Sequence, residues 1–207
     1  ILERMPLRLR SFVAYLVVWI LSLGWFAFFQ SWGGFNDPDA FYHAKIASVM
    51  SVQGPLHAFP WLDLTLFDKG FSDHHLLFHL LLIPFIRWWG MLPGTQIAAV
   101  AFAATFILVL YACLRRLSLQ HPEVWTALAA LSSPLLVRLS LAKASPLALV
   151  WFVLGVALML HALSHPERTK RWPWILGGCV IGCGYALSHG GWVIVLIGQG
   201  VVLMGAA

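Results

Sequence analysis

Apolar residues run through this chain in long, nearly unbroken stretches. Those at about residues 11–30, 96–114, 124–141, 147–163, 174–188 and 192–207 each predict a membrane-crossing helix, because roughly 20 apolar residues cover a bilayer core. The run at 76–92 differs: His79, Pro84 and Arg87 interrupt it, and clean stretches of about 10–14 residues suit an interfacial or buried helix better than a span. The predicted class is therefore all-α, a polytopic helical membrane protein with no internal repeats and no low-complexity stretches.

Composition agrees. The chain is 60% hydrophobic and 10% charged, against roughly a quarter charged in globular domains. Its net charge of +5 comes from dispersed Lys and Arg with no basic stripe, which speaks for cytoplasmic loop bias and against nucleic-acid binding. The three cysteines, Cys113, Cys179 and Cys183, lie within apolar runs and read as small buried side chains.

Charge also orients the spans. If 76–92 does not cross, Arg4, Arg8 and Arg10, the Arg115–Arg116 pair and the Arg168/Lys170/Arg171 loop all share the cytoplasmic side, as the positive-inside rule favours. If it does cross, the last two groups face outward. The expected layout is a first span that stays as an uncleaved anchor, since bulky aromatics and no small-residue cleavage pattern close it. A long external segment at 31–95 then follows, with helices lying along the membrane and Trp32, Trp61, Trp88 and Trp89 at interfacial depth. The chain starts at Ile1 and stops at Ala207 inside an apolar run, so 1–207 is expected to be the N-terminal transmembrane part of a longer protein. A bacterial inner membrane with a periplasmic or extracellular active face is the expected location.

The chemistry gathers in that external segment. Of eight acidic residues it holds Asp37, Asp39, Asp63, Asp68 and Asp73, and of nine histidines it holds His43, His57, His74, His75 and His79. Asp37 reads as an N-cap with Pro38 at the first helical position, opening a helix to about Val52. Ala40, His43, Ala44 and Ala47 would share its small-residue face. The same Asp37-Pro38-Asp39 spacing also offers two hard oxygens to a divalent cation, Mg²⁺ or Mn²⁺. After a Pro- and Gly-containing loop, a second helix is predicted from Ser72 or Asp73. On it His75 and His79 share a face, suited to a metal or to a phosphate or hydroxyl group. Arg138 and Lys143 flank the end of the 124–141 run, either snorkelling or pairing with a phosphate. Ser188-His189-Gly190-Gly191-Trp192 forms a turn on the same side.

This order of parts resembles the polytopic glycosyltransferases of the GT-C class, most closely the catalytic subunit family of oligosaccharyltransferases. The resemblance rests on one span followed by a long external loop that opens Asn36-Asp37-Pro38-Asp39-Ala40-Phe41-Tyr42-His43, on Leu131 to Ser140 with Pro134 and Arg138, and on Gly190-Gly191-Trp192. It implies a GT-C-like fold and transfer of a sugar or glycan from a polyprenyl-phosphate or -pyrophosphate donor to an acceptor not specified by the sequence. It implies Asp37 as the catalytic residue and a ligand of a divalent cation, with Asp39 and Asp73 or His74 as the candidates to complete the ligand set. His43, His75, His79, Arg138, Lys143 and His189 are then the candidates for substrate contact. The chain departs from the family where Lys143-Ala144-Ser145-Pro146-Leu147 lacks an acidic pair, so a metal-independent relative or an inactive homologue stays open beside the metal enzyme. Two other classes stay open as well: a transporter with an Asp/His cation vestibule, and a non-catalytic membrane subunit.

Overall fold

The computed structural model describes residues 6–31, 35, 37–59, 64–164 and 172–191. The expected span at 192–207, the Arg168/Lys170/Arg171 loop, Arg4, Trp32 and Trp61 lie outside them. The described residues are all-helical, without strands. The helices are α1 (Leu7–Gln30), α2 (Asp39–Gln53), α3 (Leu76–Trp89), α4 (Met91–Arg116), α5 (Pro122–Leu131), α6 (Ser133–Ser140), α7 (Ser145–Leu163) and α8 (Trp172–Ser188). Three of them, α1, α4 and α7, are long and apolar enough to cross a membrane.

The remaining helices refine the sequence expectation. α3 has 14 residues, about 21 Å at 1.5 Å per residue, too short for a hydrocarbon core of roughly 30 Å. Its Phe78, His79, Leu82 and Ile86 are buried against α2 and α4, while Trp88 and Trp89 are exposed. α8 has 17 described residues, at the lower edge of spanning length. Cys179 and Cys183 on α8 are exposed, and only Cys113 is buried as expected.

The run at 124–141 is a correction: it is two helices, α5 and α6, parted at the extended residue Ser132. Pro134 explains the break, because it has no N–H to give the carbonyl four residues back and disfavours helix just before itself. That carbonyl belongs to Ala130, and the Trp25 indole N–H of α1 donates to it at 3.3 Å.

α1 and α4 run antiparallel, the Arg115 guanidinium reaching Ser11 Oγ at 3.2 Å. At the other end Gln30 donates to the Ser140 carbonyl. The shared core is Phe26, Ala103, Phe106, Ile107, Leu139 and Val150. α3 turns directly into α4 at Gly90, whose φ of 84° suits glycine. Gly94 then lies against the backbone of Phe85, close enough that a Cβ would stand 2.7 Å from its carbonyl carbon. The small face expected on α2 is buried, with Ala40, Ala44 and Ala47 at 0% exposure. It lets α2 approach α3 and α4 closely.

Candidate functional site

Close packing of α2 on α3 brings two imidazoles together at the bundle end where α1 stops and α7 begins. His43 Nδ1 lies 2.8 Å from His79 Nε2, and His79 Nδ1 lies 2.6 Å from Asp73 Oδ2. The histidines are 4% and 0% exposed, and the Asp73 side chain 7%, so this is an interior relay. A buried carboxylate persists only when paired and fully hydrogen-bonded. Asp73 meets that condition, its second oxygen accepting the His75 N–H at 2.8 Å. Burial pushes the Asp73 carboxyl up, but the His79 hydrogen bond and charge, with the His75 N–H, outweigh it and leave it below the usual range.

Ionised Asp73 can only accept, which assigns the proton to His79 Nδ1. The contact between His79 Nε2 and His43 Nδ1 carries one proton, and the tautomer of the pair decides which ring donates it. Burial, reinforced by the neighbouring His79 and His75, pushes His43 down to about 3 despite the opposing pull of Asp39 and Asp73. At neutral pH His43 is thus uncharged.

From His75 the polar belt continues into α8. Its Nδ1 lies 3.0 Å from the Ser188 carbonyl, and its ring centroid 5.5 Å from that of His189. The Trp151 indole N–H donates to Ser188 Oγ at 3.1 Å, tying α7 to the same point. Burial lowers His75 against the raising effect of the Ser188 carbonyl. Burial likewise lowers His189, helped by His75 and Arg138. Beyond His189 a groove of about 510 Å³ opens between α6, α7 and α8. Arg138, Ser145 and His189 form its polar margin, and Leu135, Leu149 and Phe152 its apolar wall.

The Asp37–Asp39 pair forms a second cluster. Asp37 Oδ1 accepts the Asp39 N–H at 2.8 Å, but α2 starts one residue later than expected, with Pro38 and not Asp37 at the N-cap position and no side-chain cap. Asp37 Oδ2 lies 2.7 Å from Lys143 Nζ, and Asp39 Oδ2 lies 2.8 Å from the same nitrogen. The Lys143 hydrogen bond holds Asp37 below the usual carboxylate range, outweighing partial burial, and the two carboxylates raise Lys143 in turn.

The predicted residues therefore fall into place as follows. His43, His75, His79, Asp73, Arg138 and His189 form one continuous belt, and Asp37, Asp39 and Lys143 form a clamp beside it. His74 is exposed, its side chain next to Gly190. The expected ligand set does not share a centre: Asp37 and Asp39 meet at Lys143, whereas Asp73 is bonded to His79. Among the described residues no three His, Cys, Asp or Glu side chains are grouped to hold a metal ion. Sequence reading missed Ser188 and Trp151, whose part depends on α7 and α8 meeting α3. No family model, curated protein or solved structure matches this chain.

Proposed function

We propose that this chain is the membrane part of a glycosyltransferase that takes a sugar or glycan from a polyprenyl-phosphate or -pyrophosphate donor at the outer membrane edge, in the manner of the oligosaccharyltransferases it resembles. The observation that carries the reading is the groove between α6, α7 and α8. Its apolar wall of Leu135, Leu149 and Phe152 with a cationic margin at Arg138 suits an isoprenoid chain ending in phosphate. His189 and, through it, the buried histidine relay border that margin.

In this reading Arg138 neutralises the phosphate as the glycosidic bond breaks, since preorganised positive charge at a developing anion lowers the barrier. His189 donates to the same group. Asp37, ionised and held at the start of α2, orients the acceptor by taking a hydrogen bond from it. Its depressed pKa makes it a weak proton base.

The test is to incubate the purified full protein with a radiolabelled polyprenyl-phosphate-linked sugar and follow release of polyprenyl phosphate. Arg138→Gln should slow release by about 10²-fold, and Asp37→Asn should abolish transfer while preserving membrane expression. Retention of the phosphorylated donor no better than of the free isoprenoid alcohol would end the proposal. Cation flux through liposomes holding the purified protein would support the transporter instead.

A further inference from the structure

We infer that Lys143 is the built-in cation of the Asp37–Asp39 pair, its ammonium standing where a divalent ion would sit, so that the pair works without metal. Two carboxylates two residues apart at a helix start converge on one point, the arrangement from which a hard cation is chelated. Here that point holds Lys143 Nζ, 2.7 Å from Asp37 Oδ2 and 2.8 Å from Asp39 Oδ2, the spacing of strong charge-assisted hydrogen bonds.

Of the remaining oxygens, only one of Asp39 is left uncommitted. Asp37 Oδ1 accepts the Asp39 N–H, and both Asp73 oxygens are taken by the His75 N–H and by His79. An entering Mg²⁺ or Mn²⁺ would have to expel the ammonium, or bind beside a positive charge with one free oxygen of Asp39.

Lys143 is also positioned by the fold. Its neighbours Ala142 and Ala144 are buried, at 4% and 2% exposure, and Ala142 packs with Ala40, the residue after Asp39, and with Ala99. A tight turn, with the Lys143 N–H donating to the Leu141 carbonyl at 2.8 Å, aims the side chain across the start of α2. The carboxylates gain from the positive end of that helix, and the lysine bridges them into one unit. The inference goes beyond the transferase reading and does not depend on it, because its test reads binding and not turnover.

The test is a Mn²⁺ titration of the purified protein followed by electron paramagnetic resonance. The wild type should bind Mn²⁺ no more tightly than Asp37→Asn does. Lys143→Met empties the point of convergence and should bind Mn²⁺ at least about tenfold more tightly, and that gain should vanish when Asp37→Asn is added. Lys143→Gln, close in length and polar, carries the same expectation should the methionine variant fail to fold. Mn²⁺ binding by the wild type that Asp37→Asn weakens by about tenfold or more would overturn the inference. So would a folded Lys143 variant that gains no Mn²⁺ affinity.

Discussion

Neutral His43 makes the bundle sensitive to acid, and the size of the effect follows from its surroundings. Its ring is buried beside two other imidazoles and sits at about 3, against an ordinary 6.5. Between those values the unfolded chain binds a proton that the folded chain refuses, so stability falls as pH drops through this window. Integrating the two titrations gives a loss of about 2 kcal/mol between pH 7 and pH 5. On the scale of chains this long, that is a fall in melting temperature of roughly 4–8 °C. His75 and His189 are also lowered and add to the same slope. The lowered carboxyls of Asp37 and Asp73 contribute stability that is lost only below about pH 4, outside the measured interval. The assay is thermal unfolding of the purified protein in detergent, followed by the fluorescence of its 11 tryptophans, at pH 7 and pH 5. His43→Gln keeps an amide able to donate to or accept from His79 but cannot titrate. Its midpoint at pH 7 is free to shift; the difference between the two pH values should shrink by most of the His43 contribution. An undiminished difference in the variant would refute the burial argument.

Two further perturbations test the packing that holds the site. Gly94→Ala places a methyl group against the Phe85 carbonyl, where backbone must move; a loss of roughly 1–3 kcal/mol is expected, and an unchanged melting midpoint would show that the α3–α4 turn is looser than described. Trp25→Phe removes the donor to the Ala130 carbonyl, at a cost of roughly 0.5–1.5 kcal/mol. Adding Pro134→Ala supplies a backbone N–H to that carbonyl, so the double variant should recover part of the loss in a mutant cycle.

Local patterns carried much of the fold. The apolar runs at 11–30, 96–114 and 147–163 lie inside α1, α4 and α7, and the interrupted run at 76–92 forms the short helix its breaks implied. The split of 124–141 was written in the sequence too, in Pro134, but hydropathy outweighed it: the run is apolar enough to hide a missing hydrogen bond. What made the break tolerable was Trp25, 105 residues away from its acceptor Ala130, and no local rule connects them. The site divides the same way. Clustering of Asp and His in 31–95 marks residues of which the fold brings His43, His79 and Asp73 together, and the Ala40/Ala44/Ala47 face marks where another helix presses close. Their partners came out differently. Helical spacing matched His75 with His79, whereas His79 turns to Asp73 and across to His43, and His75 turns to Ser188. Lys143 shows why: alone in the sequence it reads as a boundary charge, and Asp37-Pro38-Asp39 alone reads as a pair awaiting a cation. Only the burial of Ala142, in the turn between α6 and α7, against Ala40 of α2, a contact about a hundred residues apart in sequence, brings that cation from within the chain. Short-range chemistry thus names the actors in this protein, and tertiary packing assigns which of them face each other.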